Sequence, residues 1–222
     1  MIIAPFEGDF AAALAAAARG AGWKTALASR AGLHEAGPVP KDVGSSDSAI
    51  RPWNPASYVS AGALALASAS ALGEADALVL VWDPATDDSS LFDGPPGRLG
   101  SSLEAAIEGP VYLAREMVRR FEARGAGRIV LISMESTSSG GEGDAPGSAA
   151  FPTLVSAAFR GLGEGLFARA RGARWSAWGI ADRGGKPEAA IDFALRLLDE
   201  PKTSKAGRWL PFGGKAGIFG VF

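Results

Sequence analysis

The sequence predicts a doubly wound α/β domain, a parallel sheet with helices on both faces. Three observations predict it. Strand-like and helix-like patterns alternate along the whole of the 222 residues, the order that parallel strands joined by right-handed crossover helices produce. Two strand candidates, Ala77 to Trp82 and Arg128 to Met134, are near-continuous apolar runs, as expected where both sheet faces are covered. No linker divides the chain, so residues 1–222 read as one domain. Hydrophobic residues make up 47% against 21% charged, enough to fill a sizeable core and to exclude intrinsic disorder.

In chain order, Met1 to Ala4 is a short apolar strand and Phe10 to Ala18 an alanine-rich helix, alanine being the best helix former. Asp9 is the expected N-cap, and Gly20 or Gly22 the stop. Lys24 to Ser29 reads as a second strand, followed by a Gly/Pro/Ser loop from Gly32 to Ser48. Asn54-Pro55 has the pattern of an N-cap with proline at the first helical position, opening a helix that runs through Leu72. After the Ala77 strand, Asp83 to Ser101 is polar and Pro/Gly-rich. An amphipathic helix then places Ile107, Val111, Ala114, Val118 and Phe121 on one face. The Arg128 strand leads through a Ser/Gly loop, Glu135 to Ser148, into a helix with Leu154, Ala158, Leu162 and Leu166 on its apolar stripe. Arg174 to Ile180 is a strand, Glu188 to Asp199 a helix, and Arg208 to Phe212 the last strand. Gly161, Gly163 and Gly165 sit inside a helical pattern rather than after a strand. They therefore read as small residues admitting a neighbouring backbone, not as a phosphate loop.

Composition narrows the function classes. Twenty-two basic residues against 24 acidic ones give a net charge of −2, with no Lys/Arg-rich run to hold a phosphate backbone, so nucleic acid is not an expected partner. There is no cysteine, hence no disulfide framework and no Cys/His zinc site. The single histidine, His34, lies in a Gly/Pro-rich stretch and reads as a surface residue. MIIAPFEGDF lacks the basic start of a signal peptide, and no apolar run approaches the ~18 residues that span a bilayer. A soluble cytoplasmic protein, with neither membrane nor metal, is the expectation.

Five segments in order carry a family resemblance. Asp76-Ala77-Leu78-Val79, Gly109-Pro110 with Leu113 to Met117, Gly127 to Ser133, Ala157 to Leu162, and Gly207 to Gly214 resemble, in turn, five stretches of the short-chain dehydrogenases/reductases. These are the D-x-L-V-N-N-A-G strand, the helix before the fifth strand, the G-x-I-V-N-I-S-S strand, the stretch after the catalytic lysine, and the last strand with its G-G. The resemblance implies a Rossmann-like sheet, an NAD or NADP cofactor and hydride transfer. It also implies a homo-oligomer through helices 103–123 and 152–170.

Position by position, the resemblance implies that the chemistry has been lost. The family's T-G-x-x-x-G-x-G turn falls on Ala4, Pro5, Asp9 and Ala11, leaving Gly8 as the glycine nearest to it. Glycines there let backbone approach a pyrophosphate. Glu7 and Asp9 would repel one, two unit charges at ~4 Å costing roughly 1 kcal/mol in water. The N-N-A-G segment falls on Leu80, Val81, Trp82 and Asp83, the helix asparagine on Ala106, and the catalytic serine on Met134 beside Ser133. The tyrosine falls on Pro152 and the lysine on Ser156, and neither can move a proton at neutral pH. The two tyrosines present, Tyr58 and Tyr112, lie in helices elsewhere.

The remaining candidates are Ser133 and Glu135 for catalysis, and Gly8 and Arg30 for a cofactor, Arg30 resembling the arginine that NADP-preferring members place on the 2′-phosphate. Phe6, Trp53 and Trp82 are expected to fill part of the cofactor's space. After Ile180, Asp182 to Pro187 runs almost directly into the next helix, leaving little to cover a substrate. The expectation is a family-like protein without its Ser-Tyr-Lys catalysis, binding no cofactor firmly and acting in binding, regulation or assembly. The alternative is an oxidoreductase with an atypical site that uses NADP or NAD.

Overall fold

The computed structural model describes residues 1–30, 48–86, 89–92, 95–134, 149–182, 187–199 and 206–213. His34, Glu135 and the segments 183–186 and 135–148 lie outside them. Among the described residues seven strands, β1 (Ile2–Ala4), β2 (Thr25–Arg30), β3 (Ser48–Trp53), β4 (Ala77–Trp82), β5 (Arg128–Met134), β6 (Ser176–Asp182) and β7 (Trp209–Phe212), form one sheet in the order β3-β2-β1-β4-β5-β6-β7. Every pairing is parallel. Helices α1 (Gly8–Gly20) and α6 (Pro187–Asp199) bury Phe10, Leu14, Ile191 and Leu198 on one face. On the other face α2 (Tyr58–Leu72), α4 (Gly109–Arg124) and α5 (Ala150–Ala170) cover Leu78, Leu80, Ile129 and Leu131 with Leu64, Leu113, Phe121, Phe151 and Phe159. Strand residues alternate between the two cores, the period-2 consequence of the pleat.

The expected doubly wound α/β sheet is therefore present, with differences at several boundaries. Glu7, not Asp9, is the N-cap of α1, and it makes no side-chain cap bond. The cap of α2 is Ser57, whose hydroxyl accepts from Ser60 N at 3.3 Å. Asn54 instead closes a turn, its Oδ1 accepting from Ala56 N at 3.1 Å and its carbonyl from Ser57 N at 3.1 Å. Pro55 thus occupies the second turn position, which its fixed φ favours equally well.

Strand β3 escaped the sequence reading because SAIRPW carries a proline. Proline is tolerated there because β3 is the sheet edge. The Pro/Gly-rich stretch before α4 holds a further helix, α3 (Pro96–Leu103), with proline at its start. It passes through a π turn, Glu104–Glu108, directly into α4. Strand β6 begins and ends two residues later than the expected Arg174–Ile180.

Two helix stripes also differ. On α4 the buried line is Pro110, Leu113, Ala114, Met117 and Phe121, which leaves Val111 38% exposed. On α5 it is Phe151, Val155, Phe159, Gly163 and Phe167, which leaves Leu154 42% exposed. None of the helices among the described residues is long and apolar enough to cross a membrane.

Candidate functional site

The strand order reverses between β1 and β4, and open parallel sheets bind ligands outside the carboxyl ends of strands at such a point. A cleft lies there. Pro5 and Glu7 after β1, Arg30 at the end of β2 and Trp53 at the end of β3 form one side. Trp82 and Asp83 at the end of β4, with Thr86, form another, and Ala105, Ala106 and Pro110 close it from the π turn and α4. Counted out to its mouth the cleft spans about 410 Å³, but the space in which a water molecule's centre can move is only about 20 Å³. That is room for about one water.

Four contacts account for the closure. Gly8 opens α1 at φ +73, and a Cβ on it would stand 2.6 Å from Thr86 Cγ2. The glycine is thus used to bring the start of α1 against the 3₁₀ turn Pro84–Thr86, which Asp83 caps by accepting from Ala85 N at 2.9 Å. The Glu7 carboxylate, free of helix capping, accepts from Nε and Nη2 of Arg30 in a fork at 2.5 and 2.7 Å. This is the planar pairing for which guanidinium and carboxylate are matched. Trp53 is 1% exposed, its ring laid over Gly109, where a Cβ would come within 2.6 Å of the indole. Trp82, 5% exposed, reaches across to α5 and donates its indole N–H to Ser156 Oγ at 2.9 Å.

The sequence-derived candidates sort accordingly. Gly8 and Arg30 both stand at the cleft, Gly8 as a packing glycine and Arg30 as the partner of Glu7, 27% exposed, rather than a freely solvated charge. Ser133 is fully buried, opposite Trp82 in the β4–β5 register, and its hydroxyl has no partner among the described residues. It lies on the α4/α5 side of the sheet, whereas Met134 packs toward the α1/α6 side. Glu135 lies outside the described residues. Ala106 and Ser156 are brought to the cleft region from 50 residues apart, and Pro152 is half-buried one turn before Ser156.

Of the three aromatics expected to fill the cleft, Trp53 and Trp82 line it, but Phe6 does not. The Phe6 ring packs against the α1/α6 core, while its N–H bonds Ala28 O at 2.7 Å. Sequence reasoning missed two contacts: the Glu7–Arg30 fork and the Trp82–Ser156 bond. Both join residues more than 20 positions apart. The signal for the second was present, since both residues stand at positions of the resembling family's motifs.

The described residues hold no group of three or more His, Asp or Glu placed to bind a metal. No family model matches the chain, and no curated protein matches it in sequence. Solved structures do match. Sorbitol-6-phosphate 2-dehydrogenase SrlD from Erwinia amylovora superposes with a TM-score of 0.72 at 17% identity, over 98% of this chain and 99% of that one. A doubly substituted short-chain dehydrogenase/reductase from Serratia marcescens gives 0.68 at 17%, over 95% and 94%. A variant of ElxO with NADPH bound gives 0.74 at 13%, over 95% of each chain. With the strand order, the cleft and these superpositions in agreement, the chain has the fold of the short-chain dehydrogenases/reductases.

Proposed function

We propose that this protein is a non-catalytic member of that fold, a pseudoenzyme that binds no dinucleotide firmly and works in the cytoplasm by binding, regulation or assembly. The single observation that supports this best is the bond from Trp82 to Ser156. It sets an indole between the end of β4 and α5 and ties it there. Trp53 on the other side of the cleft leaves space for about one water. A dinucleotide would have to displace both rings and break the Glu7–Arg30 fork. The positions corresponding to the family's tyrosine and lysine, Pro152 and Ser156, offer no group that changes protonation near neutral pH.

Assembly as a homo-oligomer through helices 103–123 and 152–170 belongs to the same reading. Val111 and Leu154 are exposed, and Gly161 and Gly165 on α5 have nothing within 4 Å of where a Cβ would be. A second copy could approach such a surface closely.

The test is a titration with NADPH and NADH, followed by tryptophan emission, since Trp53 and Trp82 report directly on the cleft. No saturable change at micromolar cofactor is expected. A saturable quench would overturn the reading and favour the second one, an oxidoreductase with an atypical site. That second reading is supported by the similarity to a structure with NADPH bound.

A further inference from the structure

The cleft already holds one ligand, and it is part of the chain. Arg30 projects from the end of β2 and is gripped in a two-point fork by a carboxylate, Glu7, that is only 15% exposed. Beside the pair stand flat apolar walls, the rings of Trp53 and Trp82 with Pro5 and Pro110. The Trp53 indole N–H is buried and has no partner among the described residues. Buried indole N–H groups ordinarily find an acceptor, and an orphaned donor costs about 1–3 kcal/mol in general. Glu7 itself does not need this position. It is the N-cap residue of α1 and could have accepted from that helix's first-turn N–H groups, yet it makes no such bond.

We infer that the cleft is a binding site for a small planar carboxylate, an aromatic monocarboxylic acid, for which Glu7 is the built-in competitor. The inference deepens the reading above and rests on it, in that the cleft is taken not to serve a dinucleotide. The ligand's carboxylate takes the Arg30 fork, its ring lies against the tryptophans, and Glu7 swings out toward solvent at the N-terminus of α1. There a negative charge is favoured by the helix dipole. The geometry sets the size. The free space of the cleft holds about one water, so a ligand is confined to little more than the room the Glu7 side chain vacates, which is the scale of a single ring and not of a two-base cofactor. The fork selects a planar two-oxygen acceptor, and Arg30 is the only guanidinium among the cleft's lining residues.

The experiment is calorimetric titration of the full chain with benzoate, and separately with inorganic phosphate, at constant ionic strength. Wild-type protein is expected to bind benzoate in the millimolar range. Glu7→Gln, which keeps the side chain's size and removes its charge, is expected to bind at least tenfold tighter. Adding Arg30→Met should cancel that gain, and Glu7→Asp, which shortens the reach and keeps the charge, should give an intermediate one. Inorganic phosphate should bind more weakly than benzoate in every variant. The proposal falls if wild type ignores benzoate, if Glu7→Gln gives no gain, or if the gain survives Arg30→Met. Phosphate binding tighter than benzoate overturns the ligand class. None of these outcomes is shared with the NADPH and NADH titration, so this inference and the broader reading fail separately.

Discussion

Ser156 shows how one residue's role is decided by its neighbour. As a half-buried serine on a helix it could be replaced at little cost, but it is the acceptor for the indole of a tryptophan that is 5% exposed. Ser156→Ala leaves that N–H without its partner and is expected to cost about 1–3 kcal/mol. Trp82→Phe removes the donor and also leaves a cavity where the buried indole was larger, so its cost adds a packing loss to that of the bond. Urea unfolding of the two variants and of the double variant measures the coupling. An additive double variant would show that the bond contributes nothing. Gly8 makes the same point from the backbone side: with φ +73 and Thr86 Cγ2 within 2.6 Å of a would-be Cβ, both conformation and space call for glycine. The sequence marks Gly8 as a glycine near the expected turn. What it presses against follows only from the fold.

Helices α4 and α5 show what periodicity leaves open. On α5 two apolar lines, each stepping by four, run side by side: Leu154, Ala158, Leu162 and Leu166, of which Leu166 is buried, and Phe151, Val155, Phe159 and Phe167. Spacing identifies both as helical and does not say which faces the sheet. The aromatic line wins because it buries more area. It also wins because Gly163 within it admits Trp209 of β7, where a Cβ would come within 2.5 Å of the indole, while Gly179 of β6 leaves room on the ring's other side.

On α4 the buried face includes a charge, Glu116, 3% exposed and bonded to Arg119 at 2.7 Å and Arg120 at 2.7 Å. Hydrogen bonding from Arg119 holds its carboxyl below the usual value of 4.5, against desolvation that pushes the other way, with Arg120 adding to the lowering. Folding lowers this pKa, so the stabilisation is present above 4.5 and is lost as pH falls through the lower folded value. Arg119 is 65% exposed and solvent screens it, whereas Arg120 is only 20% exposed, so Glu116→Gln should cost about 1–3 kcal/mol at neutral pH. That difference should shrink as pH drops below 4.5, and thermal unfolding across this range checks it. A difference that stays constant with pH would remove the ion pair as its cause.

At the scale of the molecule, the large apolar residues left uncovered among the described residues are Tyr58, Val59 and Leu66 on α2, Phe92, and Val111 and Leu154 on α4 and α5, the two helices proposed to pair with a second copy. Val111 at 38% and Leu154 at 42% exposure contribute little to the monomer's own core. Leu154→Glu is therefore expected to leave the unfolding free energy of the monomer within about 0.5 kcal/mol, while shifting the sedimenting species from dimer to monomer. A wild-type protein that sediments as a monomer would end the pairing proposal. The sheet was legible chiefly at its centre, where β4 (ALVLVW) and β5 (RIVLISM) are buried on both faces and so are written as near-continuous apolar runs. The edge strand β3, half-exposed and containing Pro52, carries no such run and was not.

The sequence by itself determined the alternation of strands and helices and the absence of cysteine chemistry. These follow from residue type and local spacing, which the chain displays without folding. Tertiary structure alone decided that the cleft is closed. Its closure depends on Glu7 meeting Arg30 across 23 residues and Trp82 meeting Ser156 across 74. Those encounters are set by the strand order, which seats β2 beside β1, and by the packing of α5 over β5 beside β4, and no local pattern encodes which side chains that arrangement brings together.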